Sequence, residues 1–227
     1  MNLNVRSKTQ SLVLMGMFIA IMLILATTPL GMINLGFMRA TILHIPVIIG
    51  SIVLGPKYGA ALGVVFGIIS VVTATIAPVP MSIVFSPFIP QPGTDRGSML
   101  TLIVAFVPRI LVGIFPFYVY KLFTDTFSVE AGTGTARSLS RTIGLSIAAV
   151  VGSMTNTILV LNLAYLFFAQ AWDYRSAADI TYAFIMGLIA TAGIPEAIAA
   201  AVIVPMVCVA VFAVNQRTPI ASPNHNQ

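Results

Sequence analysis

Residues 99–122 read MLTLIVAFVPRILVGIFPFYVYKL, with Arg109 as the one charge before Lys121. Such a run is long enough to cross about 30 Å of hydrocarbon, which takes around 20 residues as a helix. Lipid does not tolerate an ionised group facing it, so Arg109 must point into protein, water or a bound ligand. The run from Ala183 to Val214 poses the same problem with Glu196. The chain therefore reads as a polytopic membrane protein with a polar centre.

Composition agrees. The chain is 58% hydrophobic and 7% charged, against roughly 25% charged for a soluble domain, and its mean hydropathy is +1.02. The length, 227 residues, fits one helical bundle covering residues 1–227. A net charge of +5 raises the question of nucleic acid, but the basic residues are scattered over loop positions and form no cluster. Membrane topology accounts for them. Cys208 is the single cysteine, which excludes a disulfide framework and a cysteine metal site. His44 reads as a cap of the second segment, and neither it nor His225 has metal-ligand company. The first apolar stretch has no small-residue cleavage site and reads as a retained helix.

Six membrane segments are expected in an all-α bundle: Gln10–Thr28, Ile42–Leu54, Gly55–Ala77, Met99–Leu122, Thr142–Ala169 and Ala183–Val214. The second is too short to cross alone. Between the third and fourth, Pro78–Ser98 carries Pro78, Pro80, Pro87, Pro90 and Pro92 with few charges. That is too much proline for a helix and too apolar for a solvated loop, so it reads as an extracellular lid folded back over the bundle. With the N-terminus inside, seven Lys/Arg fall at inner ends and three at outer ends. Both termini are then cytoplasmic, as are a loop at about 123–141 and a polar tail at about 215–227.

On these registers Arg109, Asn156 and Glu196 share a similar depth, with Asn162 nearly two turns nearer the outside. One reading is an internal Arg109–Glu196 ion pair with Asn156 bonded to backbone. The other is a substrate pocket in the outer half of the bundle. Both hold if one guanidinium edge pairs with Glu196 and another faces a ligand carboxylate. Ser153 and Thr155 read as bonded to their own helix, while Asn156, with two donors and an acceptor oxygen, reads as a ligand contact. Glycines 55, 59, 63 and 67 form overlapping GxxxG steps, and Gly16 with Ala20 a smaller one. If such a face packs internally it says nothing about partners; if exposed, it suits docking to another membrane protein. No HExxH, GxSxG or P-loop occurs, so binding, not catalysis, is the supported activity.

Several stretches carry a family likeness: Leu35–Arg39 leading to Leu43-His44-Ile45-Pro46, Leu54–Gly59, Pro108–Gly113, Gly152–Leu161, and Gly193-Ile194-Pro195-Glu196. The chain resembles the substrate-binding S component of an energy-coupling factor (ECF) vitamin transporter. The resemblance implies a six-helix vitamin binder in the cell membrane, with no cofactor or metal of its own. Its partners would be a transmembrane coupling subunit and two cytosolic ATPases that use ATP and Mg. The first-helix step, here Gly16 to Ala20, would form the coupling surface; glycine replaces the family's usual first alanine.

Within the group the chain looks most like the pantothenate-specific branch. Arg109 or Arg39 would take the vitamin's carboxylate, and Asn156 or Asn162 its amide. Riboflavin or another vitamin is the alternative, with Phe85 and Phe88 as a stacking lid. A rival from another class is a self-sufficient proton-coupled carrier using Glu196, although the chain shows no internal repeat of the kind common in carriers.

Overall fold

The computed structural model describes residues 8–28, 31–34, 39–91, 95–127, 135–173 and 186–217. The helices are α1 (Lys8–Thr27), α2 (His44–Leu54), α3 (Pro56–Ile76), α4 (Leu100–Val112), α5 (Phe115–Phe127), α6 (Thr135–Asp173) and α7 (Ile194–Arg217). Two three-residue strands, β1 (Met32–Asn34) and β2 (Arg39–Thr41), pair antiparallel between α1 and α2, with Ile33 opposite Ala40.

Five stretches are long and apolar enough to span a membrane: Lys8–Thr27, Pro56–Ile76, Leu100–Thr126, Ser138–Phe168 and Met186–Ala213. The remaining apolar helix, α2, is different in kind. At about 1.5 Å per residue its 11 residues reach only about 16 Å. Nine of them, His44 to Ile52, are buried, and α2 comes within contact distance of every other helix. A helix apolar on all sides is stable only when wrapped by others. Gly55 ends it with φ +96°, which a residue with a side chain rarely adopts, and Pro56 then opens α3. The cap expected from His44 is not formed: Leu43 occupies the N-cap position without a side-chain bond, and His44 is fully buried.

The glycine row of α3 faces α4. A Cβ at Gly59 would overlap the Gly113 carbonyl, one at Gly63 the Arg109 carbonyl, and one at Gly67 the Phe106 ring at 2.7 Å. These glycines therefore serve internal packing, the first of the two uses the pattern allows. The run 99–122 forms α4 and α5 with a break at Gly113, whose N–H donates to the Arg109 and Ile110 carbonyls. α5 and α6 both extend into the span expected as a loop at 123–141; residues 128–134 lie outside the described part. Just ahead of Pro195 the chain takes a π-helical turn over Ile189–Gly193. Pro195 has no N–H for the carbonyl four residues back, which permits the wider turn.

The proline-rich stretch does fold onto the bundle. A 3₁₀ turn at Pro80–Val84 buries Met81 and Val84 against Val104, Leu161 and Phe168. Polar bonds fix it: Thr75 and Ser86 share a 2.7 Å hydroxyl bond, and Gln91 Nε2 donates to the Ile83 carbonyl at 2.7 Å.

Candidate substrate-binding site

Under this stretch lies a cavity of about 80 Å³, several times the roughly 10–15 Å³ that one water needs. Arg109 from α4, Asn156 and Thr157 from α6, and Glu196 from α7 line it, with Thr41 at the end of β2 and Phe85 after the 3₁₀ turn. The guanidinium, amide and carboxylate expected at one depth thus open onto one hollow.

Arg109 is 6% exposed and held from three sides. Its Nη1 donates to the Val104 carbonyl at 2.7 Å. Its Cζ lies 4.7 Å from the Phe85 ring centroid and 5.3 Å from that of Phe66 on α3, inside the range of cation–π attraction. Gly63, one turn before Phe66, lets α3 approach the Arg109 backbone. The guanidinium Nε has no hydrogen-bond partner.

Glu196 is bound elsewhere. The Thr41 backbone N–H donates to Oε1 at 2.7 Å, and the Thr157 hydroxyl to Oε2 at 3.2 Å. That hydroxyl also lies 3.4 Å from the Ser153 carbonyl of its own helix. Among the described residues no ion pair joins Arg109 to Glu196, so the internal pair is not formed and the cavity keeps a cation on one wall and an anion on another. Asn156 is 8% exposed, and its Oδ1 accepts no hydrogen bond. The expected bond to its own helix is present for Thr155, at 2.7 Å to the Val151 carbonyl. It is absent for Ser153, whose Oγ is unpartnered. Buried polar atoms are nearly always satisfied by protein, water or ligand. Arg109 Nε and Asn156 Oδ1, on residues of this wall, are enclosed and unpartnered.

The other candidates fall as follows. Asn162 is outside the cavity wall, its Nδ2 donating to the Ile158 carbonyl at 2.7 Å. Six residues on from Asn156 it lies on another face, since a helix brings i+3, i+4 and i+7 round together. Arg39 lies in β2, with its side chain outside the described part. Phe85 lines the cavity, but one ring face is covered by Arg109; Phe88 is 73% exposed. Gly16 and Ala20 are on the outward side of α1, opposite the buried Phe18 and Met22, with open space over Gly16. Sequence reasoning missed Thr41, which acts through its backbone, and Phe66, one apolar residue among many. Thr157 carried a signal in its place directly after Asn156.

The profile of the family described as "ECF transporter, substrate-specific component" matches residues 10–208. The chain is 39% identical over 201 residues to the "Pantothenic acid transporter PanT" of Lactococcus lactis subsp. cremoris (strain MG1363), covering 87% of this chain and 91% of that one. A polar cavity inside a membrane-spanning bundle, free of catalytic motifs, is what such a subunit needs. The chain belongs to the substrate-specific components of ECF transporters: it is a multi-pass cell-membrane subunit that binds what the transporter carries, and not an enzyme.

Proposed function

We propose that this chain captures pantothenate at the outer face of the cell membrane and delivers it inward with an ECF transmembrane coupling subunit and two cytosolic ATPases. The hydrolysis of ATP with Mg belongs to those partners. The observation that carries the reading is the Arg109 guanidinium, bound to a carbonyl and two ring faces but, among the described residues, to no carboxylate, beside a cavity that also holds Asn156. A guanidinium with no carboxylate hydrogen-bonded to it suits an anionic guest. Pantothenate offers one carboxylate for Arg109, an amide N–H for Asn156 Oδ1, and hydroxyls for the Glu196 side. The relative named as a pantothenic acid transporter points the same way. A flavin suits the wall less well. Among the described residues Phe85 is the one aromatic side chain along it, and a face of that ring is occupied.

In this reading six helices lie in the membrane, α2 at the centre, and both termini face the cytoplasm. The strand pair and the proline-rich stretch cover the cavity from outside. The exposed Gly16–Ala20 face of α1 meets the coupling subunit. Titration of the detergent-purified protein with pantothenate and with riboflavin tests it. Saturable binding of pantothenate alone is expected; binding of riboflavin in its place overturns the substrate assignment. Vesicles holding this chain alone should show binding without proton-driven uptake, which separates it from a self-sufficient carrier.

A further inference from the structure

We infer that Pro108 is a positioning residue for Arg109: by lacking an N–H, it frees the Val104 carbonyl to grip the guanidinium. In a regular turn of α4 the N–H of residue 108 would donate to the carbonyl of residue 104. Proline has none to give. The Val104 carbonyl is thus an orphan inside the bundle, where leaving it unsatisfied is costly. Arg109 Nη1 fills the vacancy at 2.7 Å. The reach is natural, because side chains on a helix lean toward its N-terminus and Arg109 turns back over the preceding turn.

The consequence is orientational. One end of the guanidinium is fixed on Val104, and its Cζ lies over the rings of both Phe66 and Phe85. A planar fork held at one terminus and bounded by two rings has few ways left to present its remaining donors. A carboxylate guest then meets a preset donor and does not have to immobilise a flexible side chain itself, which lowers the cost of binding. Restoring an N–H at position 108 gives the Val104 carbonyl a second donor, which weakens and re-aims its hold on the guanidinium.

The inference rests on the cavity being a pantothenate site, and the experiment separates the two. Wild type and Pro108→Ala are titrated with pantothenate and with pantothenol, its neutral alcohol analogue, alongside thermal unfolding in detergent. In Pro108→Ala, pantothenate should bind about tenfold more weakly, pantothenol should be unaffected, and the unfolding temperature should hold or rise, since a helix gains a hydrogen bond. A merely structural role gives the opposite pattern, with both ligands and stability falling together, and that result overturns the inference, as does unchanged pantothenate affinity. A second reading uses no ligand: in ¹⁵N-arginine-labelled protein, one guanidinium Nη should exchange with water slowly in wild type and fast in Pro108→Ala. Equal exchange in the two overturns the inference whatever the substrate. Failure of wild type to bind pantothenate instead strikes the substrate assignment, and the exchange comparison then decides the role of Pro108 alone.

Discussion

Thr41 and Glu196, 155 residues apart in sequence, are joined at 2.7 Å, the backbone N–H of one donating to the carboxylate of the other. One bond therefore ties the strand pair to α7 at the edge of the cavity, and the same carboxylate reaches α6 through Thr157.

Glu196→Ala should free the strand pair. Hydrogen–deuterium exchange at the Thr41 amide is expected to quicken well beyond any change elsewhere in the bundle. Glu196→Gln should hold the Thr41 bond through its amide oxygen, with its amide nitrogen donating to the Thr157 hydroxyl, so exchange at Thr41 should stay close to wild type. Equal exchange in wild type and Glu196→Ala would show that the strand pair is anchored by other contacts.

Arg109→Ala and Asn156→Ala should weaken pantothenate binding while leaving the protein folded. The loss of one charged contact is worth about 1.5–3 kcal/mol, or roughly ten- to a hundredfold in affinity for Arg109→Ala. Arg109→Lys should not rescue it, because an ammonium cannot reproduce the planar guanidinium fork that lies over the Phe66 and Phe85 rings. Titration calorimetry on the purified variants measures this directly.

Gly63→Ala should destabilise the bundle without touching any ligand. Its Cβ would meet the Arg109 carbonyl and the backbone of Ile110, and overpacking against main chain costs about 1–3 kcal/mol. The unfolding temperature in detergent reads it, and a neutral result would mean that α3 and α4 can separate freely.

Gly16→Leu is the contrasting case. Nothing lies within 4 Å of the position a Cβ would take, so fold and binding should be unchanged. Uptake by the reconstituted transporter with its coupling subunit and ATPases should fall. Undiminished uptake would remove this face of α1 from the coupling surface.

Charges and amides announced the site because they interrupt apolar runs: Arg109, Asn156 and Glu196 were visible in the sequence, and all three reach the cavity. The helices were legible for the same reason, since long hydrophobic stretches admit few structures in lipid. What escaped depends on relations a one-dimensional reading lacks. Thr41 contributes a main-chain N–H, which every residue but proline carries. Phe66 differs in nothing from its apolar neighbours until α4 is laid against α3. The Arg109–Glu196 pair was a fair inference from buried charges seeking partners, yet a carbonyl freed by the adjacent proline and two ring faces supplied one partner set, and a strand N–H with a hydroxyl the other. Asn162 was misjudged by depth alone, without regard to its angle round the helix.

A short helix enclosed on every side, as α2 is, leaves no seam along which the molecule could part. Carriers that rock two halves about a central site need such a seam. Here each long helix leans on a common axle, so splitting the bundle would strip that axle of its packing all at once. A body built this way keeps its packing only while it moves as one piece.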